Sequence, residues 1–415
     1  MAKKIALLIF LLFLPLLTSG GEVVITPFNS TTRTNDLSWL RFGAPLYLSQ
    51  ILSRTEGIEL ISWDEFISFL DDEGIPMNAS LSLGSLVRIG RDLGATKMII
   101  GSYSFANDKL TLKAKIIDIK RGGIGTEFGA SGRKEHLSRI IDELALKIIA
   151  TLLPEETVPR KSFLGRTEEE ALRFYALAQM TAKPEEKIPL LIKSVSASAT
   201  FNPALLELGE LYFLQEEYLK AAELLSRISR DEPSLASARF KAGLAYFQIG
   251  EYDKALSSFI DSFTINPNTS SLFNIAASLA SSGRYEEASP LIEKLAGIYP
   301  KDTSLLLALG YLAWHDEKLE KAEEYLIRAK DIDPSLVPAR FLLYKVYEKM
   351  GRAEEANDQF LLAKGYAESA DIIESLERGD YPFLSLMDEE EGEPLPDNLK
   401  EELLPRIKSL TTQNN

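Results

Sequence analysis

A chain of 415 residues has the length of two or three domains, and with 45% hydrophobic and 26% charged residues it buries real cores and is not disordered as a whole. With no cysteine, it excludes disulfides, thiolate metal sites, a cysteine nucleophile and a lipid-modified N-terminal cysteine. A formal net charge of −15 repels phosphate backbones and argues against nucleic acid and anionic lipid as main partners.

The chain opens with Lys3 and Lys4, an apolar run from Ile5 to Leu17, and small residues from Thr18 to Gly21. A basic start, roughly 7–15 apolar residues and a small-residue end form the pattern of a secretory signal, and the run is short for a bilayer span. Residues 1–20 are therefore expected to be a signal peptide, removed near Gly20, which makes the mature protein exported and without a stable membrane anchor.

From Glu22 to Leu153 strand-like and helix-like patterns alternate. Val23–Phe28 reads as a short apolar strand, Asn29–Asn35 as a polar loop, and Asp36 as the cap of a helix running to Arg54. The run "IELIS" reads as a second strand. Two amphipathic helices follow, "DEFISFLDDEG" and "LGSLVRIGRDLG", each ending at a glycine suited to a left-handed cap, Gly74 and Gly94. Then come three strands with alternating faces and turns at Asn107-Asp108 and Gly122-Gly123, and a closing helix, "HLSRIIDELALKIIATLL". Helices follow strands early and a meander comes late, so a mixed sheet with helices on its faces is expected.

The series "VVITPFNS", "LYLSQILSR-TEGIELISWDEF", "LGATKMIIGSYSFANDKLTLKAKIIDIKRG" and "IIDELALKIIATL" resembles the amino-terminal domain of the TolB type. The resemblance covers residues 22–153. It implies a small α/β module that contacts other proteins in the bacterial envelope, hence a periplasmic or envelope-associated location, and it implies no catalytic residues.

Residues 154–167 are Pro-rich and charged and read as a linker. Beyond them lies a repeat. Gly209, Gly243, Ala276, Gly310 and Tyr344 recur at steps of 34, 33, 34 and 34 residues, and twelve residues after each stands an alanine: Ala221, Ala255, Ala288, Ala322 and Ala356. Pro233, Pro267, Pro300 and Pro334 punctuate the joins. Small residues let paired helices approach, rings fill the space between neighbours, and proline ends the second helix because it has no amide hydrogen to donate. This is the tetratricopeptide (TPR) pattern of helix–turn–helix units. A degenerate unit at Ala171–Ala199 precedes the five, giving an all-α tetratricopeptide solenoid over residues 168–370 after the TolB-like α/β domain.

Residues 371–415 hold twelve Asp or Glu against four Lys or Arg and are expected to be an acidic, mostly mobile tail. Its first residues allow a final capping helix, and Asn398–Leu410 has a weak apolar face that could dock as a short helix on the array or on a partner.

Nothing in the remaining motifs points to chemistry. The two histidines, His136 and His315, lack any neighbour at ligand spacing. The glycines of Arg121–Gly132 do not match a dinucleotide fingerprint and enter a strand, where no helix N-terminus can hold a pyrophosphate. Carboxylate pairs such as Glu286-Glu287 sit on polar faces. No cofactor and no metal are implied.

Tetratricopeptide arrays present a groove lined by the first helix of each unit. Carried onto this chain, that expectation selects Phe213, Phe240, Phe247, Phe273, Tyr311, Trp314 and His315 as candidate partner-binding residues, an apolar and aromatic surface of the kind that anchors protein partners. The expected function is an exported, non-enzymatic scaffold for protein or peptide partners. Its rivals are a sensory module that binds a small ligand in the α/β domain and a hydrolase using Asp or Glu.

Overall fold

The computed structural model describes residues 22–32, 37–77, 79, 81–153, 166–181, 183–230, 234–367, 370–379, 386 and 392–410. The expected signal peptide and most of the expected linker lie outside these. Backbone contacts group the chain into two units that divide between Glu207 and Leu208.

The first unit is built on a five-stranded mixed sheet: β1 (Val23–Ile25), β2 (Asn29–Ser30), β3 (Lys97–Ala106), β4 (Lys109–Asp118) and β5 (Gly123–Gly132). β1 and β2 both run parallel to β3, while β3, β4 and β5 form an antiparallel meander. A parallel pair needs a long crossover, and helices α1 (Leu40–Leu52), α2 (Trp63–Asp72) and α3 (Leu83–Asp92) lie in it. The antiparallel pair needs only two turn residues, and Asn107 and Asp108 supply them at φ 52° and 60°.

Each sheet face buries a different set. Along β4, Leu110, Leu112 and Ala114 are buried on the side where α4 (Leu137–Leu152) packs. Tyr47 of α1 donates to Asp142 Oδ1 of α4 at 2.7 Å on this side. Across the sheet, Phe66 and Leu70 of α2 and Leu86 and Ile89 of α3 pack on Val24, Met98, Ile117 and Ile119. Gly90 allows that approach, because a Cβ there would stand 2.5 Å from Met98 Cε.

Two local expectations change. The "IELIS" strand shrinks to one parallel bridge, Val23 to Leu60, because Ser62 already caps α2 by accepting from the Glu65 amide at 3.0 Å. Asn29 and Ser30, read as loop, pair with Ser102 and Tyr103 as β2. The expected cap Asp36 is outside the described residues.

Helices α5 (Arg166–Ala178) and α6 (Pro184–Ala197) complete this unit. Ala176 of α5 lies against Gly43 of α1, so the degenerate opening repeat is built onto the α/β module. The division by backbone contacts falls within α7 (Asn202–Leu214).

The second unit is a rank of helical hairpins: α7 with α8 (Tyr218–Leu225), α9 (Leu235–Gln248) with α10 (Tyr252–Ile265), α11 (Thr269–Ser281) with α12 (Tyr285–Ile298), α13 (Thr303–His315) with α14 (Leu319–Ile332), and α15 (Val337–Met350) with α16 (Ala353–Tyr366). The repeated small residue sits where the two helices of a hairpin meet. A Cβ on Gly243 would stand 2.7 Å from the Phe259 ring, and one on Gly310 2.6 Å from Leu326. The five repeated alanines are all buried.

The expected tail is in part ordered. Helix α17 (Ala370–Arg378) buries Ile373 and Leu376 on Val337, Phe341 and Ala363, as a capping helix does. Helix α18 (Asp397–Ser409) docks on the array: Leu399, Leu403 and Ile407 join the same core as Phe259, Phe263 and Leu295. The lead-in is pinned by backbone, with Thr269 N–H donating to Glu393 O at 2.9 Å and Leu395 N–H to Pro267 O at 3.3 Å. Glu402 pairs with Lys294 of α12 at 2.8 Å.

Candidate functional site

Helix α13 carries the densest group of the predicted residues. Asp302 caps it, accepting from the amides of Ser304 and Leu305 at 2.8 and 3.2 Å, and it runs to His315. Spacings of three and four residues put Tyr311, Trp314 and His315 on neighbouring positions of one helix surface. The His315 ring stacks on Tyr285 of α12 at 4.5 Å and 14° and meets Tyr311 edge-on at 4.4 Å. Trp314 lies 4.7 Å from His315, and Lys349 of α15 holds its ammonium 5.1 Å over the indole. Three successive repeats thus contribute to one cluster.

Its electrostatics favour stacking. Burial pushes the His315 pKa down, the Lys349 charge adds to the effect, and Asp316 opposes it. The imidazole is therefore neutral at neutral pH and behaves as a fourth ring. Trp314 Nε1 is buried with no hydrogen-bond partner, a donor that natural structures seldom leave unused.

Phe213 and Phe247 are half-buried, each meeting the tyrosine that opens the next helix: Tyr218 at 5.3 Å and Tyr252 at 5.1 Å. In the third unit Ala280 stands where those phenylalanines are, and Tyr285 stacks on His315 of the next unit instead. Phe240 and Phe273 are corrections: both are fully buried core residues and line no groove; Tyr311 is a correction too, since it is buried in the core and only backs the cluster through its contact with His315. Phe240 points at the second helix of its own hairpin, 5.4 Å from Phe259. Phe273 belongs to α11, where every residue from Thr269 to Ala280 is buried, so the middle of the expected groove is closed. Tyr285 and Lys349 were missed by sequence reasoning. Tyr285 was visible as the ring nine residues after Ala276, but its reach into the following unit was not.

No helix among the described residues is long and apolar enough to cross a membrane. No group of three or more His, Cys, Asp or Glu among them could hold a metal.

Comparison with known proteins supports the repeats. The family model described as "Tetratricopeptide repeat" matches residues 273–336, and that of "Anaphase-promoting complex, cyclosome, subunit 3" matches residues 182–262. The TPR repeat-containing protein YpiA of Bacillus subtilis is 28% identical over 196 residues, covering 46% of this chain and 45% of that protein. Protein O-mannosyl-transferase TMTC3 of Homo sapiens is 24% identical over 243 residues, 56% of this chain and 27% of that protein. The chain thus spans less than half the length of either relative. Among solved structures, MamA 41-end from Desulfovibrio magneticus RS-1 aligns at 22% identity and a TM-score of 0.38, covering 41% of this chain and 97% of that one. YrrB, titled a TPR protein with an unusual peptide-binding site, aligns at 15% identity and a TM-score of 0.37, with 45% and 97% coverage. The chain carries tetratricopeptide repeats arranged as a TPR-type solenoid, together with a small five-stranded sheet region of unassigned kinship.

Proposed function

We propose that this protein is a non-enzymatic scaffold of the bacterial cell envelope, exported by the signal in residues 1–20, which docks a protein or peptide on its repeats. The observation that carries the reading is the cluster of Tyr285, Tyr311, Trp314 and His315 beneath Lys349. Rings held rigidly by neighbouring helices lose little entropy on binding and supply most of the energy of protein interfaces. The module at 22–153 makes a second contact in this reading. The order of its strands and helices supports a TolB-like assignment, and joining two contacts in one chain raises the effective concentration of one partner near the other.

Cross-linking in intact cells identifies the partner. The doubly substituted Phe247→Ala/Trp314→Ala chain is then expected to lose its capture while keeping its helical circular dichroism. Capture at the parental level by a folded double variant would refute the docking role. For export, mass spectrometry of the mature chain is expected to find an N-terminus near Gly21. The sensory reading, a small ligand in the α/β module, is favoured by one observation: a cleft on the open part of its sheet.

A further inference from the structure

The α2–α3 layer covers only part of one sheet face. It packs on Val24, Met98 and Ile117 and leaves the neighbouring part of that face open. Strand register sets the composition of the open part: Ile100 stands opposite Lys115 and Ser102 opposite Lys113, with Glu127 of β5 opposite Lys115. Between these residues and Leu81, Leu83 and Leu86 at the start of α3 lies a cleft of about 270 Å³. That is just below the usual ligand-pocket range of about 300–1,000 Å³.

The cleft has one apolar wall and an excess of positive charge. Glu127 accepts from both lysines, Lys113 at 2.8 Å and Lys115 at 3.1 Å, and these bonds hold its pKa below the usual carboxylate value. One carboxylate thus serves two ammonium groups. A small adjoining cavity, sharing Pro27, Asn29, Leu81 and Leu86 with the cleft, is lined by Arg41 of α1. Arg41 donates to Asn29 Oδ1 at 3.2 Å and to the Ala79 carbonyl at 2.8 Å, both neutral acceptors, while its Nε is buried with no partner. No carboxylate pairs with it among the described residues. In a chain of net charge −15, this is a local reversal of sign, and the guanidinium beside the cleft adds to the positive field that draws an anion towards the lysines.

We infer that the cleft between α3 and the open part of the sheet binds a small organic carboxylate, its short apolar chain on Leu81, Leu83 and Leu86 and its carboxylate at Lys113 and Lys115. The wall of leucines selects for an apolar tail, which inorganic phosphate lacks. Leu83, 40% exposed, becomes covered on binding. The site lies in the α/β module and stands or falls independently of the repeat cluster.

Calorimetry and ligand-observed NMR on the full chain test the inference, with hexanoate and phenylacetate as probes and hexanamide and inorganic phosphate as comparators. A carboxylate is expected to saturate with a Kd of about 1 mM or tighter, and hexanamide is expected not to compete. Lys113→Gln and Lys115→Gln should each weaken binding by about tenfold or more, the loss of one charge-assisted contact. Both lysine side chains are exposed, so the two variants keep the fold. The inference is overturned if neither carboxylate saturates, if hexanamide binds as well, if phosphate alone binds, or if folded Lys115→Gln binds like the parent.

Discussion

The repeat places one residue per hairpin in the left-handed region, seven after the position held by Gly209, Gly243, Ala276, Gly310 and Tyr344. Gly250, Gly283 and Gly351 hold it at φ 78°, 81° and 75°, whereas Glu216 and Glu317 hold it at 61° and 57°. The left-handed region costs an L-residue roughly 1–2 kcal/mol, of which the larger entropy loss of glycine recovers about half. Glu317→Gly is therefore expected to stabilise the protein by about 0.5–1 kcal/mol in urea denaturation; an unchanged or lower midpoint contradicts the strain. His315 supplies a pH test. Its folded pKa lies below the unfolded value of 6.5, so the unfolded chain takes up the proton first. The contribution of the neutral ring is complete above pH 6.5 and is lost as pH falls through the folded pKa. The stability difference between the parent and His315→Phe is thus expected to shift in favour of the variant between pH 7.5 and pH 5. At this scale the packing glycines were legible, because a small residue stands at the same place in four of the five units, where the paired helices approach closely. Phe240 was not: a phenylalanine facing its own hairpin and one facing a groove look alike in sequence.

Among the elements, α18 shows what a short pattern conceals. Its apolar residues are few and set among charges, yet Leu403 and Ile407 are 1% and 0% exposed. They find their partners on α10 and α12, more than a hundred residues earlier in the chain. Truncating Leu403 to Ala leaves a cavity in that seam and is expected to cost about 2–5 kcal/mol, measurable as a lower unfolding midpoint. The strap is also held by the Tyr299 hydroxyl, which donates to the Glu393 carboxylate. That bond, with burial and the nearby charge adding to it, pushes the Tyr299 pKa up to about 12. Its contribution is complete below the ordinary tyrosine pKa of 10.0 and is lost as pH rises through 12. Tyr299→Phe is expected to accelerate hydrogen exchange along α18 at neutral pH while leaving α15 unchanged. Equal protection in both chains would show that the leucines alone hold the strap.

At the scale of the molecule, each of the two units has its own buried core, so heat is expected to resolve more than one transition. Gly243→Val, which forces side-chain carbon into the rigid Phe259 ring, is expected to cost about 2–3 kcal/mol. It should lower the transition of the repeat unit by roughly 5–10 °C, with the other transition left in place. A single transition moved as a whole would instead show that the units unfold together. From its residues alone the chain determined its helical hairpins and its α/β meander, because those follow from short-range periodicity, turn chemistry and caps, all written within 34 residues of one another. Only the tertiary structure decided that the first hairpin packs on α1 of the α/β module, that the C-terminal helix fills a seam on the array, and that Tyr285, His315 and Lys349 form one surface. Each of these depends on which distant apolar faces meet, and burial of apolar area carries no direction along the chain.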